Sequence, residues 1–163
     1  MGLIVRSSPL HGAGVYTTRP IRKGQRVLQY TGPRLTKKES EGLYGDTEVT
    51  YLFGMEDGKT VIDGFGIAAF VNHSCAPNCE TDEIDGAIWI LALQNIKAGE
   101  ELTYDYNLYD GEPGELAPCY CGAKTCRGTM FSEAEIARHK RLLRKQKAKR
   151  RARQSKEKQI AAA

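Results

Sequence analysis

Three cysteines within eight residues constrain this chain more than any other feature of its sequence. Cys119, Cys121 and Cys126 are spaced so that their thiolates can converge on one metal ion. Because tetrahedral zinc takes four ligands, the site would be either catalytic, with water in the open position, or structural, closed by a distant cysteine such as Cys75 or Cys79. Free buried thiols are the alternative, and three thiols this close together make it the weaker one.

The number of cysteines and the first residues of the chain bear on where the protein works. Five is an odd number, and the segment Met1–Arg6 lacks the charged leader and long apolar core of a signal peptide. We therefore expect an intracellular protein that is not secreted, whose thiols bind metal or stay free. A bacterial cytoplasm or nucleoid and a nucleus or chromatin both fit. No apolar run approaches about 18 residues, so we expect no membrane partner.

Charge divides the chain into two unlike parts. Residues 134–163 hold 12 of the 24 Lys and Arg but only two of the 20 Asp and Glu, a net charge of +10 that leaves −6 on residues 1–133. An acidic domain suits a basic protein partner. The basic tail favours nonspecific contact with nucleic acid through its phosphates, and no motif for base-specific readout is present. A solvated extension without a partner, and a tail whose lysines are substrates in cis, are the alternatives.

Short apolar segments separated by turns predict a mostly β domain before residue 132. Alternating, β-branched and aromatic residues of the kind found in strands cover Arg26–Thr31, Val49–Met55, Lys59–Asp63, Ala87–Leu93 and Glu101–Tyr106. The Asp57-Gly58 pair predicts a hairpin turn between the second and third of these segments. The best candidate for a helix is Thr36–Tyr44, where Thr36 and Glu39 have the spacing of a capping box.

The basic tail begins with a second capping box, formed by Ser132 and Glu135. Apolar residues between Ala134 and Leu143 then support a helix of about three turns, packed weakly if at all. From Arg144 onward the sequence has no apolar face, and like charges at helical spacing repel one another. We expect this part to be frayed or disordered on its own.

Three further motifs are suited to forming a site. The loop Asn72–Cys79 concentrates hydrogen-bond donors and acceptors around its histidine, although an ordinary polar turn is the alternative. In His11–Val15 two glycines let the backbone approach a ligand or form a tight turn, and the third glycine of a dinucleotide-binding motif is missing. In Gly99–Tyr109 the side chains of Tyr104 and Tyr106 project to one face and could line one slot, unless they only pack.

Together, and in this order over nearly all of residues 3–130, the motifs resemble the SET-domain protein lysine methyltransferases with a post-SET zinc segment. The matching segments are His11–Gly14, Arg19–Gly32, Asn72–Asn78, Gly99–Tyr106 and Cys119–Gly128. The resemblance implies a mostly β fold of the β-clip type, with several small β-sheets around a pseudoknot, few short helices, and a C-terminal basic helix or disordered tail. It places a SET domain at residues 1–110, the post-SET zinc segment at 111–131 and the basic helical or disordered tail at 132–163.

The resemblance also implies roles for residues at matching positions. The catalytic tyrosine would be Tyr106, with Tyr104 limiting the number of methyl groups and Tyr51 lining the channel for the lysine. S-adenosyl-L-methionine would be bound by the glycine motif, the Asn-His pair and the catalytic tyrosine, that is by Gly12, Ala13, Gly14, Asn72, His73 and Tyr106. One structural zinc would be held by Cys75, Cys119, Cys121 and Cys126, which leaves Cys79 as a spare thiol.

The implied activity is methyl transfer from S-adenosylmethionine to a lysine of a basic protein, histone-like or other. A hydroxyl at Tyr104 occupies space that added methyl groups need, so we expect mainly mono- or dimethylation. Four positions depart from the family pattern: Ala13 stands where Trp is frequent, Gly66 where Asn is common, Ala69 where Arg is usual, and Ala76 where Asp is common. These departures support the alternative, a catalytically weak, zinc-stapled module that binds protein or chromatin. The retained Asn-His pair and tyrosines favour the enzyme.

Overall fold

Ten short strands and two α-helices are present in the computed structural model, which describes residues 2–45, 47, 51–109, 111–112 and 114–161, with side chains up to residue 155. The strands are β1 (Leu3–Ser7), β2 (Ala13–Thr17), β3 (Arg26–Tyr30), β4 (Arg34–Thr36), β5 (Leu52–Gly54), β6 (Thr60–Asp63), β7 (Asn72–His73), β8 (Cys79–Ile84), β9 (Ala87–Ala92) and β10 (Thr103–Tyr104). The helices are α1 (Lys37–Tyr44) and α2 (Glu133–Ala161), and Ile67–Phe70 forms a 3-10 turn. Described residues within 1–105 and 120–126 form a first compact unit, and those within 106–119 and 127–163 form a second.

Small sheets build the first unit. β1 pairs with β2 and β7 pairs in parallel with β10, while two three-stranded antiparallel sheets have the orders β3-β9-β8 and β4-β6-β5. The most buried aliphatic side chains of this unit are Val15, Val71, Ile90, Ile96 and Leu102. The predicted fold class, mostly β with several small sheets and few helices, is confirmed.

The hairpin predicted at Asp57-Gly58 is confirmed, since β5 and β6 pair antiparallel across it. The Asp57 carboxylate closes the turn by accepting hydrogen bonds from the Thr60 hydroxyl (2.6 Å) and from the amides of Lys59 and Thr60 (2.8 Å each). These bonds, the one from the hydroxyl first, lower the pKa of Asp57 to about 2. Of the predicted strand Val49–Met55 the structure shows β5, and residues 49 and 50 lie outside the described residues.

Helix α1 is confirmed together with its capping box. The Thr36 hydroxyl accepts a hydrogen bond from the Glu39 amide (3.2 Å), and the Glu39 carboxylate accepts one from the Thr36 amide (2.7 Å). The reciprocal bonds satisfy amides that have no partner within the first turn. The same backbone bond lowers the pKa of Glu39.

The predicted strand Glu101–Tyr106 is wrong in length, since only Thr103–Tyr104 forms a strand, β10. β2 bonds to one side of the preceding backbone, since the Thr17 amide donates to the Glu100 carbonyl (3.1 Å) and the Leu102 amide donates to the Val15 carbonyl (2.7 Å). The Asn78 side chain binds the other side. Its Nδ2 donates to the Glu101 carbonyl (2.7 Å), and its Oδ1 accepts from the Thr103 amide (2.9 Å). An apolar and aromatic pattern indicates extended backbone, but it does not indicate that a side chain will bind that backbone.

Helix α2 begins as predicted after Ser132, whose hydroxyl accepts from the Glu135 amide at 3.1 Å. Only this half of the predicted capping box forms, because the buried Glu135 carboxylate binds elsewhere in the second unit. It accepts from the Gly111 amide (3.0 Å) and from Arg138, and His139 Nε2 lies 3.0 Å from it. The bond from Arg138 lowers the pKa of Glu135, although burial opposes this shift. The first turns of this helix are therefore held by polar contacts of Glu135, whereas the sequence predicted only weak packing of apolar residues.

The expectation that the tail frays beyond Arg144 is wrong, because α2 continues to Ala161 as one helix. Most of these residues are Lys, Arg, Gln, Ala and Glu, which have high helix propensity, and this offsets the repulsion between like charges. Every side chain from residue 144 to residue 155 is exposed. Among the helices of the described residues, none combines the length and the apolar character that a membrane span requires.

Candidate active site and metal centre

The buried side chain of Asn72 joins three of the sequence motifs within the first unit. Its Nδ2 donates to the carbonyls of Ala13 (2.9 Å) and His11 (3.3 Å) and to Oε1 of Glu101 (2.8 Å). β7, which carries Asn72, pairs with β10, so that Asn72 lies opposite Thr103. The glycine motif, the Asn-His loop and the tyrosine segment therefore meet at one amide group.

The glycine motif lies at the turn between β1 and β2. Gly12 is exposed with φ at +46°, a left-handed conformation that favours glycine, and no atom lies within 4 Å of the place where a Cβ would be. At Gly14 a Cβ would lie 2.1 Å from Glu101 Oε1 and 3.0 Å from Asn72 Nδ2. The two glycines therefore differ in role. The space beside Gly12 is open to a ligand, although the Gly12 carbonyl accepts from the Ser8 amide at 3.0 Å, and Gly14 makes room for the groups that hold the turn.

His73 is buried, and its two ring nitrogens have partners in the first unit. Nε2 lies 3.4 Å from Cys75 Sγ, and Nδ1 lies 3.5 Å from a carboxylate oxygen of Asp105. These contacts hold the imidazole ring between a cysteine of the metal group and Asp105, the residue between Tyr104 and Tyr106.

The cysteines separate into a group and a lone thiol. In the first unit the sulfurs of Cys75, Cys121 and Cys126 lie within 4.8 Å of one another, with 4.0 Å between those of Cys75 and Cys126. The Cys75 amide also donates to Cys121 Sγ at 3.4 Å. Cys119, two residues before Cys121 in the chain, completes a group of four cysteines that could hold one metal ion.

The donor set fits zinc. Four thiolates at about 2.3 Å from a tetrahedral zinc ion lie about 3.8 Å apart, close to the 4.0 Å observed between two of them. Cys79 stands outside the group: it is fully buried, and burial raises the pKa of its thiol to about 12. Of the two candidates for a distant fourth ligand, the structure therefore brings Cys75, and not Cys79, to the other cysteines.

Aromatic side chains surround the predicted tyrosines of the first unit. The buried Tyr104 ring lies 6.3 Å from that of Phe53, which lies 5.2 Å from that of Tyr30. The Tyr30 hydroxyl donates to the Tyr51 carbonyl at 2.6 Å, and the partly exposed Tyr51 ring lies 5.9 Å from that of Phe70. The rings thus form two groups, one with Tyr104 and one with Tyr51, and the hydrogen bond from Tyr30 to the Tyr51 backbone joins them. Tyr106 follows two residues after Tyr104 and is the first residue of the second unit.

The sequence reasoning missed two side chains of this site. Glu101 accepts hydrogen bonds from Ser8, Tyr16 and Asn72, and Asn78 binds the backbone on both sides of Leu102. The sequence signal that could have identified Glu101 is its position immediately before Leu102, an apolar residue that is fully buried in the structure. Burial and the bond to Glu101 together raise the pKa of Tyr16.

The chain is similar to known proteins over most of its length. Residues 12–107 match the model of the SET domain. Histone-lysine N-methyltransferase ash1 of Drosophila melanogaster is 38% identical over 135 residues, covering 76% of this chain and 6% of that protein. Histone-lysine N-methyltransferase 2B of Homo sapiens is 39% identical over 134 residues, covering 76% and 5%. A histone-lysine N-methyltransferase of Kluyveromyces lactis named as H3 lysine-4 specific is 37% identical over 134 residues, covering 74% and 13%.

This chain therefore spans only a small part of the length of each of these relatives. The SET model, in contrast, matches more than half of the chain, and the match contains the glycines of the glycine motif, the Asn-His pair, Tyr104 and Tyr106. The protein belongs to the SET-domain family.

Proposed function

We propose that the protein is an S-adenosylmethionine-dependent protein-lysine N-methyltransferase. The observation that carries the proposal is the convergence of the three motifs on the Asn72 amide, with the open space beside Gly12 in the same unit. The names of the three relatives, all histone-lysine N-methyltransferases, support it. In this proposal the SET domain covers residues 1–110, the post-SET zinc segment covers residues 111–131, and the basic tail follows.

The residues present fit the methyl donor. Its binding groups would be the backbone of Gly12, Ala13 and Gly14 together with Asn72 and His73, and the Ala13 carbonyl is already fixed by the Asn72 amide at 2.9 Å. Ala13 therefore keeps a defined backbone without the tryptophan that the family often has there. When bound, S-adenosylmethionine supplies an electrophilic methyl group on a positively charged sulfur.

The protein's own task is to present a neutral lysine amine in line with that methyl group. A free lysine has a pKa near 10.4, so at neutral pH only roughly one in a thousand is nucleophilic, a handicap of about 4 kcal/mol. An aromatic channel including Tyr51 and Tyr104 disfavours the ammonium form and lowers the lysine pKa. We assign the Tyr106 hydroxyl to orienting the amine by a hydrogen bond, with its ring beside the methyl group being transferred.

We propose a basic protein substrate, histone or histone-like, and a nuclear, chromatin-associated setting. The net charge of −6 on residues 1–133 suits a basic partner. A cavity of about 130 Å³ in the first unit is also lined by three acidic residues that could attract a basic segment. Its lining residues are Phe53, Gly54, Glu56, Thr81, Asp82, Glu83 and Ile88. The three relatives reported above are eukaryotic proteins whose names specify histone lysine, which supports the nuclear setting over the bacterial one.

The test is incubation of the zinc-loaded protein with S-adenosylmethionine and core histones, followed by mass spectrometry of the histone peptides. Methyl-lysine in the histone peptides that requires both the protein and S-adenosylmethionine supports the proposal. The runner-up, a catalytically weak binding module, is favoured by Ala69 at a position where the family usually has arginine. Histone binding without methyl transfer would favour the module.

Substituting Tyr104 by phenylalanine is expected to raise the number of methyl groups added. The Tyr104 side chain is buried with its ring 6.3 Å from that of Phe53, so losing its hydroxyl frees space for a di- or trimethylated product. We expect the wild-type protein to give mainly mono- and dimethyl-lysine, and Tyr104→Phe to shift the product to di- and trimethyl-lysine. Mass spectrometry at matched turnover measures this, and abundant trimethyl-lysine from the wild-type protein would contradict it.

Helix α2 presents the basic surface that we propose for nonspecific contact with nucleic acid. Its exposed cations include Arg144, Lys145, Lys147, Lys149 and Arg150. Each phosphate contact contributes about −0.9 to the slope of log K against log salt concentration. Replacing these five residues by glutamine, which preserves helix propensity, should weaken binding to duplex DNA at low salt and reduce the magnitude of the slope by about 3 to 5.

The matched control replaces the three lysines of this set by arginine, which keeps the charge and should keep the slope. DNA affinity is measured by fluorescence anisotropy in a salt titration. Unchanged affinity and slope in the glutamine variant would overturn the assignment of this helix as the contact surface.

A further inference from the structure

We infer that Glu101 is the positioning residue of the cofactor turn, His11–Gly14, and that its negative charge selects the positively charged methyl donor over the demethylated product. The inference rests on the proposed function, because it needs S-adenosylmethionine to bind at this turn. Glu101 lies in the segment Gly99–Tyr106 that resembles the family, but the sequence analysis assigned it no role.

Three side chains donate hydrogen bonds to the Glu101 carboxylate, and both of its oxygens accept. The Ser8 hydroxyl lies 2.8 and 2.9 Å from its two carboxylate oxygens, the Tyr16 hydroxyl donates to Oε2 at 2.7 Å, and Asn72 Nδ2 donates to Oε1 at 2.8 Å. Ser8 and Tyr16 belong to the segments before and after the turn. The carboxylate therefore ties both arms of the turn to the Asn-His loop.

The backbone of Glu101 is fixed as firmly as its side chain. It bridges to Tyr16 of β2, and its carbonyl accepts from Asn78 Nδ2 at 2.7 Å. The Glu101 carboxylate also packs directly against Gly14, because a Cβ at Gly14 would lie 2.1 Å from Glu101 Oε1. A carboxylate held this tightly sets the position of the turn through contacts that the turn cannot make alone.

The charge of Glu101 is not neutralised by the groups that hold it. Its hydrogen-bond donors are two hydroxyls and an amide, all uncharged, and among the described residues it forms no ion pair with a lysine, arginine or histidine. The Arg6 guanidinium lies over the Tyr16 ring, 3.7 Å from its centroid, and does not form an ion pair with the carboxylate. A partly buried carboxylate without an ion-pair partner attracts a cation that binds nearby, although Arg6 offsets part of this attraction. S-adenosylmethionine carries a sulfonium and an ammonium against one carboxylate, whereas S-adenosylhomocysteine has lost the sulfonium charge.

The test compares the affinities of the two ligands by calorimetry in the full chain. Glu101→Gln keeps an acceptor for the Asn72 amide, and the hydroxyls of Ser8 and Tyr16 can rotate to accept from the new amide, so mainly the charge is lost. We expect S-adenosylmethionine to bind about tenfold more weakly, and S-adenosylhomocysteine at most about threefold more weakly. In turnover, KM for the methyl donor should rise about tenfold with kcat within about twofold of wild type.

Ser8→Ala is the matched control, because it removes a hydrogen bond to Glu101 and leaves the charge. It should weaken the binding of both ligands equally, so the affinity for S-adenosylmethionine divided by that for S-adenosylhomocysteine stays at the wild-type value. If Glu101→Gln does not fold, Ser8→Lys places a cation beside the intact carboxylate and should lower the same ratio. A ratio unchanged in every charge-altering variant that folds would overturn the inference. Wild-type protein that binds neither ligand would overturn the proposed function instead.

Discussion

Cys75→Ser is expected to lose the zinc ion proposed for the four-cysteine group and to melt about 10 °C below the wild-type protein. Cys75 is the only cysteine of the metal group that precedes residue 119 in the chain, so its sulfur connects the Asn-His loop to the Tyr120–Cys126 segment of the first unit. Loss of a structural metal costs more than about 4 kcal/mol of folding free energy, and each kcal/mol shifts the midpoint of a protein of this size by about 2 to 4 °C. The loop that carries Asn72 and His73 should loosen, and methyl transfer should fall with it.

Cys79→Ala is the matched control, since its buried thiol lies outside the metal group. This variant should keep one zinc per chain by elemental analysis, with the smaller stability loss of a small cavity. Thermal melts of each variant, with and without a chelator, complete the comparison. A Cys75→Ser variant with one zinc and an unshifted midpoint, or a Cys79→Ala variant without zinc, would contradict the assignment.

Tyr106→Phe is expected to reduce methyl transfer by a factor of 100 or more while binding S-adenosylmethionine within about threefold of wild type. The assigned role of the hydroxyl is to orient the lysine amine, and misplacement of a reacting group by about 1 Å costs on the order of 100-fold in rate. The ring that remains still fills its place. Single-turnover rates measure the chemical step, and calorimetry measures the affinity for the methyl donor.

Tyr120→Phe serves as the control for this substitution, because Tyr120 is 81% exposed and has no assigned role. It should leave the rate unchanged. Activity of Tyr106→Phe within threefold of wild type would remove the hydroxyl from the mechanism, and a parallel loss of affinity for the methyl donor would make Tyr106 chiefly a binding residue.

Local signals in the sequence were sufficient for the elements whose bonds are local. The Asp57-Gly58 turn and the Thr36–Glu39 capping box are each closed by groups within about four residues of one another, and both were predicted correctly. The Asn78 side chain binds the backbone of Glu101 and Thr103 across more than 20 residues of sequence, and no periodicity shows these bonds. Ser132 and Glu135 are a similar case. Their spacing predicts a full capping box, but the Glu135 carboxylate binds the distant Gly111 amide instead of the Ser132 amide.

The site was predictable as a set of motifs but not as a geometry. Spacing alone identified three thiols and left Cys75 and Cys79 open as the fourth. The family resemblance favoured Cys75, and the fold shows that Cys75 joins the group while Cys79 is buried outside it. Glu101 is a comparable case, because its importance comes from contacts with Ser8 and Tyr16, more than 80 residues earlier. Such contacts depend on how the strands pair, which no local pattern specifies.

The most direct test of the central proposal is mass spectrometry of core histones incubated with the zinc-loaded wild-type protein and S-adenosylmethionine, with Tyr106→Phe in parallel. The proposal predicts mono- and dimethyl-lysine that requires the methyl donor and falls at least about 100-fold in the variant. Wild-type protein that is folded, holds zinc and binds S-adenosylmethionine, yet methylates no lysine of core histones or of a whole lysate, would contradict it.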